Sequence, residues 1–204
     1  MQRILIVMLC LAAMLAIGYR YFAAGPRIAV GDLHGDTIIC FGDSLTFGTG
    51  APRDKSYPAQ LAEMIGQPVI NSGIPGDTTA RALQRLDRDV LSKSPRIVLI
   101  TLGGNDLKNG VDKKIAFKNL KEIVETIQAR GVLVVIGGIK LLFWDRGYEE
   151  EYKKLSAETG ALFIPNILEG LMGNEELMHD TIHPNASGYK IMAQKFYTSI
   201  EPYL

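Results

Sequence analysis

The chain is predicted to be an α/β protein in which helices cover both faces of one parallel sheet. Short apolar runs alternate along the sequence with longer segments of helical periodicity, which is typical of a parallel α/β fold. Several of these runs are apolar throughout, as expected of strands buried on both faces. The length of 204 residues suits one such domain with an N-terminal addition.

In the first half of the chain, each predicted strand ends in a glycine-containing turn. Residues 37–41 are mainly β-branched, Cys and Phe residues, and they break abruptly into Gly-Asp-Ser. Residues 57–65 have helical spacing of apolar side chains and stop at a glycine. Residues 68–71 form a short strand that leads into a glycine-rich loop. Thr78 or Thr79 can cap the helix that follows this loop.

The second half of the chain continues the same alternation. Residues 96–102 and 132–136 are apolar strands, and an amphipathic helix at 112–130 lies between them, ended by Gly131. The last predicted elements are a helix at 148–159, a strand at 162–164 and a helix that begins at Asn185 or Ser187.

Charge and cysteine content exclude some classes of function. Lys plus Arg and Asp plus Glu number 22 each, and no basic block stands out. Phosphate binding needs concentrated positive charge, so nucleic acid is not an expected partner. Cys10 and Cys40 suggest no disulfide framework, and Cys40 is read as a small buried hydrophobic residue.

The N-terminus carries an export signal. An uninterrupted apolar run at residues 4–17 follows Arg3. The run is shorter than the ~20 residues of a full membrane span, which favours a signal peptide. If residues 19–24 are included and Arg20 reaches the interface, an uncleaved anchor at residues 4–24 also works. Either form predicts a periplasmic or other extracytoplasmic location and membrane contact through this segment.

Ser44 stands at the carboxyl end of the first predicted strand, where ligands bind in open α/β sheets. A serine needs an adjacent base to act as a nucleophile, and the base needs a group that fixes its tautomer. His183 is the natural base, and Asp180 in the same loop can orient it. The candidate donors to a developing oxyanion are the backbone N–H groups of Ser44 and Gly76 and the side-chain amide of Asn105.

The motifs around these residues resemble those of the SGNH (GDSL) hydrolases. The four matching blocks are Gly42-Asp43-Ser44-Leu45, Gly76, Gly104-Asn105-Asp106 and Asp180-x-x-His183-Pro184. The sequence of residues 71–78 is most similar to those of the thioesterase I, lysophospholipase L1 and arylesterase branch of this family. The resemblance covers the chain from about residue 37 to the C-terminus.

The resemblance implies a flavodoxin-like three-layer α/β/α sandwich with five strands in the order 2-1-3-4-5. It implies a Ser44-His183-Asp180 triad and an oxyanion hole formed by Ser44, Gly76 and Asn105. It also implies ester or thioester hydrolysis with no metal and no cofactor. Residues 1–27 are then the signal peptide or anchor with its linker, and residues 28–204 are the hydrolase domain.

A metal-dependent hydrolase is the less favoured interpretation of one short motif. Residues 31–35 spell a Gly-Asp-x-His-Gly sequence like that of metallophosphatases, but the further metal ligands of that class are missing from the chain.

The expected substrates are small-molecule or lipid esters, including acyl or aryl esters, thioesters and lysophospholipids. Residues 140–145, after the fourth strand, are bulky and apolar, which fits an acyl chain or an aromatic group and equally fits the packing of a lid. An O-acetylesterase acting on cell-envelope glycans and a non-catalytic SGNH binding scaffold are the alternatives. The oligomeric state is not predicted.

Overall fold

The structure is a computed structural model that describes residues 33–140 and 147–204. Its sheet has five parallel strands in the order β2-β1-β3-β4-β5, which confirms the predicted fold class. The strands are β1 (Thr37–Gly42), β2 (Val69–Gly73), β3 (Pro95–Thr101), β4 (Leu133–Gly137) and β5 (Leu162–Ile164).

Seven α-helices connect and flank these strands within the described residues. They are α1 (Ser44–Phe47), α2 (Tyr57–Ile65), α3 (Thr79–Asp89), α4 (Gly104–Lys108), α5 (Lys113–Gln128), α6 (Tyr148–Thr159) and α7 (Ala186–Ile200). None of the helices in this part of the chain is long and apolar enough to cross a membrane.

Alternate residues of the central strands enter two separate apolar cores. One core packs Ile39, Phe41, Val98 and Ile100 against α3, α5 and α6. The other packs Ile38, Cys40, Ile97 and Leu99 against α2 and α7. All eight side chains are at most 3% exposed, which is why these strands read as continuous apolar runs.

The predicted elements match the observed ones within two residues at most ends. The predicted strand at 68–71 extends to Gly73, because Gly73 still pairs with Gly42 of β1. Thr78 caps α3 and Asn185 caps α7 through their side chains. Helices α1 and α4 were not predicted, since four or five residues are too few to show a helical period.

Two predicted segments lie outside the described residues. The leader with its linker, assigned to residues 1–27, is one of them. The other is most of the bulky apolar segment at residues 140–145, of which only Lys140 is described.

The strand order reverses between β1 and β3, and this places the ligand crevice. The chain runs from β1 to β2 on one side and then to β3 on the other, so the crevice lies at the carboxyl ends of β1 and β3. Ser44 directly follows the Gly-Asp turn after β1, and Asn105 follows β3. The first described residues lie at the opposite side of the sheet, at the amino ends of the strands, where the His34 N–H donates to the Gly131 carbonyl at 3.2 Å.

Candidate active site

A sharp turn after β1 presents Ser44 at the carboxyl ends of the strands. Gly42 ends the strand, and a Cβ atom there would clash with the Thr46 hydroxyl, so only glycine fits. Asp43 caps α1, because its Oδ1 accepts the Leu45 N–H at 3.0 Å. Ser44 is the first residue of α1 and is half-buried.

Ser44 and two residues from the far end of the chain form a hydrogen-bonded series. Ser44 Oγ lies 3.0 Å from His183 Nε2, and His183 Nδ1 lies 2.7 Å from Asp180 Oδ2. Because a carboxylate only accepts hydrogen bonds, Asp180 holds the proton of a neutral imidazole on Nδ1. His183 Nε2 is then free to accept from the serine hydroxyl. The three residues predicted to act together are therefore in hydrogen-bond contact.

The loop that carries Asp180 and His183 is fixed by its own backbone. Oδ1 of Asp180 accepts the N–H groups of Ile182 at 2.8 Å and His183 at 2.7 Å. Met178 and Pro184 form an antiparallel bridge that closes the loop. Partial burial raises the pKa of Asp180, but the hydrogen bonds from the His183 ring and from the two N–H groups outweigh it and lower the pKa to about 2. Asp180 is thus a carboxylate at neutral pH.

Two backbone N–H groups, one of Ser44 and one of the loop after β2, are available to a ligand. The N–H groups of Ser44 and Gly76 donate to no other protein group among the described residues. Gly76 lies in a turn that the Asp77 N–H closes by donating to the Ile74 carbonyl at 3.1 Å. Its φ of +77° is the conformation that glycine adopts at the third position of a type II turn.

The side-chain amide of Asn105 joins the loops that follow β1 and β2. Its Nδ2 donates to Asp43 Oδ2 at 3.1 Å and to the Asp77 carbonyl at 2.9 Å. Asn105 is thereby held next to the residue that precedes Ser44 and the residue that follows Gly76. Both amide hydrogens have acceptors, so an oxyanion in this crevice would compete with one of them.

Three buried aspartates follow the carboxyl ends of β1, β2 and β3. Asp43, Asp77 and Asp106 are each at most 3% exposed. Burial raises the pKa of Asp43 to about 7, with a further contribution from the charge of Asp77, although the bond from the Leu45 N–H lowers it. Burial also raises the pKa of Asp106, whose carboxylate accepts from the Thr79 hydroxyl at 2.7 Å and the Thr79 N–H at 2.9 Å.

A cavity of about 850 Å³ opens over Ser44. This volume lies within the usual range of small-molecule sites. Ser44, Asn105, Asp180 and His183 line it, whereas Gly76 is not among its lining residues. Its apolar lining consists of Leu45, Ile139, Met172, Met178 and Ile182.

The sequence profile of the GDSL-like lipase/acylhydrolase family matches residues 40–191, and this match includes all the residues of the candidate site. The chain belongs to this family. It is an SGNH/GDSL ester hydrolase, and the enzyme class predicted from the four motifs is confirmed.

Named relatives of this hydrolase align with most of the chain. An arylesterase of Vibrio mimicus is 32% identical over an alignment of 171 positions, which covers 78% of this chain and 85% of the relative. The thioesterase 1/protease 1/lysophospholipase L1 of Escherichia coli K12 is 29% identical, over 82% of this chain and 84% of the relative. The crystal structure of TesA superimposes with a TM-score of 0.78 at 27% identity, covering 83% of this chain and all of that chain.

Four polar residues of this hydrolase that support the site could not be assigned roles from sequence. They are Asp43, Thr46, Arg85 and Asp106, all of which are at most 7% exposed. Asp43 and Asp106 stood in the recognised motifs, but no spacing rule shows which groups they bond. The signal for Arg85 was weak: it lies three residues after Ala82 on the helix face that meets the core. Within the described ranges, no three His, Cys, Asp or Glu side chains are grouped to hold a metal ion.

Proposed function

We propose that the chain hydrolyses carboxylic esters through a covalent acyl-enzyme on Ser44. The observation that carries this proposal is the series Ser44 Oγ, His183 Nε2, His183 Nδ1 and Asp180 Oδ2, with separations of 3.0 and 2.7 Å at the mouth of the cavity. His183 takes the hydroxyl proton as Ser44 Oγ attacks the ester carbon, and then gives that proton to the departing alcohol or thiol. A water molecule then attacks the acyl carbon in the same way. His183 takes the proton of this water and returns it to Ser44 Oγ as the carboxylic acid is released.

The oxyanion formed in each step needs hydrogen-bond donors. In this proposal the N–H groups of Ser44 and Gly76, which donate to no protein group among the described residues, supply two of them. The Asn105 amide supplies the third by turning one hydrogen from Asp43 Oδ2 or the Asp77 carbonyl to the oxyanion. Removing one such donor typically costs roughly 10²–10³ in kcat. Asp180 remains ionised throughout and stabilises the imidazolium that forms.

The proposed substrates are esters or thioesters with an apolar acyl or aryl group. The apolar side chains that line the cavity, with two methionines among them, suit chains of variable shape. Lysophospholipids belong to this class. The N-terminal segment at residues 4–24 is proposed to export the enzyme or anchor it at a membrane, where such lipids occur.

Labelling with a fluorophosphonate probe tests the nucleophile. The wild-type protein should react at one residue, identified as Ser44 by peptide mass, and lose its esterase activity in proportion. Ser44→Ala should fold, fail to react and lose at least 10³-fold in kcat. Ser92→Ala, at an exposed serine, is the matched control and should behave as wild type. A folded Ser44→Ala protein with near-normal turnover would refute the proposal.

A further inference from the structure

Arg85 of α3 is a buried cation, and each of its three guanidinium nitrogens donates hydrogen bonds. Its side chain is 7% exposed. Nε donates to Asp77 Oδ2 at 2.7 Å, and Nη2 donates to the Gly42 carbonyl at 2.9 Å. Nη1 donates to the Ser72 carbonyl and to Asp89 Oδ2, both at 3.0 Å. The guanidinium thus joins the ends of β1 and β2 and the loop that follows β2.

The groups that Arg85 holds lie next in the chain to the residues that carry the two candidate backbone donors, the Ser44 and Gly76 N–H groups. Gly42 stands two residues before Ser44 in the turn after β1. Asp77 directly follows Gly76, and its carbonyl accepts one of the Asn105 amide hydrogens. The Arg85 side chain therefore spans the gap between the segment that supplies the Ser44 N–H and the segment that supplies the Gly76 N–H.

Stability alone is a weak reason for a charge in this position. Removing a guanidinium from water is costly, and buried ion pairs are often no more stabilising than apolar residues of similar volume. What a guanidinium adds is a rigid planar set of donors that fixes several acceptors at once. Its central carbon also lies 4.4 Å from the centre of the Phe41 ring, which is a cation–π contact.

We infer that Arg85 is a positioning residue that sets the spacing between the Ser44 and Gly76 N–H groups of the oxyanion site. The inference rests on the function proposed above. A lysine at this position would keep the charge, but its single ammonium cannot meet the Gly42 carbonyl, the Ser72 carbonyl and Asp77 in their present places. A shift of about 1 Å between reacting groups and their donors can cost roughly 10²-fold in rate.

The test compares Arg85→Lys with Arg88→Lys in the same helix. Arg88 is 74% exposed, and among the described residues its side chain pairs with Asp89 alone, so it is the matched control. Each full-length variant is titrated with the fluorophosphonate, and kcat and KM for a p-nitrophenyl ester are expressed per titrated Ser44. Arg85→Lys should lose about 10- to 100-fold in kcat with KM changed less than threefold, whereas Arg88→Lys should match wild type.

A purely structural role predicts a different result and would overturn the inference. In that case Arg85→Lys has a lower thermal midpoint and fewer titratable sites, but a normal kcat for each titrated site. Asp77→Ala provides a second variant if Arg85→Lys fails to fold, since it removes the carboxylate that Nε bonds. It should show the same loss in kcat, and an unchanged kcat would overturn the inference.

The wild-type and Ser44→Ala proteins separate this inference from the proposed function. If wild type is labelled at Ser44 and Ser44→Ala is inactive, a normal kcat in the Arg85 and Asp77 variants refutes only the positioning role. If the probe labels another residue and Ser44→Ala retains turnover, the proposed function and the positioning role are both refuted.

Discussion

Asp43 is buried directly before Ser44, and its carboxylate bonds two groups of the site. One oxygen accepts the Leu45 N–H and the other accepts the Asn105 amide. Its pKa is raised to about 7 by burial, and the neighbouring Asp77 and Asp106 charges add to the increase. An unfolded aspartate titrates near pH 3.9. Between about pH 4 and 7 the folded protein therefore keeps a proton that the unfolded chain has lost, so stability falls as pH rises through this range.

Asp43→Asn should remove this part of the pH dependence, because an amide does not ionise. Between pH 5 and pH 8, the wild-type free energy of unfolding should fall by roughly 1–3 kcal/mol more than that of the variant, at ~1.4 kcal/mol per pKa unit. Urea unfolding at both pH values measures it. Asp87→Asn, at an exposed position of α3, is the control and should follow wild type. Identical pH slopes in wild type and Asp43→Asn would contradict the expectation.

At the scale of the elements, helix α1 depends on what surrounds it. Four residues cannot form a stable helix in isolation. Thr46 is fully buried and ties α1 to its neighbours, since its hydroxyl bonds the Tyr57 hydroxyl of α2 at 3.1 Å and also the Thr101 hydroxyl of β3. The position of Ser44 is therefore set by the packing of α2 and β3 as well as by β1.

Thr46→Val keeps the shape of this side chain but removes the hydroxyl from the buried cluster. Loss of the shared hydrogen bonds should cost about 1–3 kcal/mol in stability, and kcat should fall because α1 is held less firmly. Thr46→Ser should recover most of both. Thr198→Val, at an exposed site of α7, controls for the loss of a hydroxyl. Thermal midpoints and kcat are measured on the same preparations. A Thr46→Val protein indistinguishable from wild type would show that the Thr46 hydroxyl does not hold α1 in place.

For the whole molecule, the sequence was sufficient for the strands and for the choice of fold. Runs such as residues 37–41 are mainly apolar on both faces, and this pattern can be read from consecutive residues alone. The sequence also indicated Ser44, His183 and Asp180 as partners, because their motifs are ordered and specific. It could not place Arg85 or Asp43 in the interior, since the burial of a charge depends on partners that folding brings from distant segments.

The leader makes a prediction for the intact protein. A protein lacking residues 1–27 should be soluble and retain kcat/KM within about twofold, because the cavity and its lining belong to the described domain. The full-length protein should be found in the membrane or periplasmic fraction of cells. On p-nitrophenyl esters the shortened protein should prefer acyl chains of several carbons over acetate. Full-length protein free in the cytosol would contradict export, and strict acetate preference would favour a glycan O-acetylesterase.

The position of the first described residues has a practical consequence. They lie beside Gly131 at the amino ends of the strands, whereas Ser44 lies at the carboxyl ends. The six residues of β1 separate the two ends by about 20 Å. A resin, electrode or fusion partner joined ahead of residue 33 would therefore meet the described domain on the side away from Ser44 and the cavity. Random coupling through lysines would also modify Lys108, which lines the cavity. Immobilisation through the amino end should keep the mouth of the cavity open to the bulk solution.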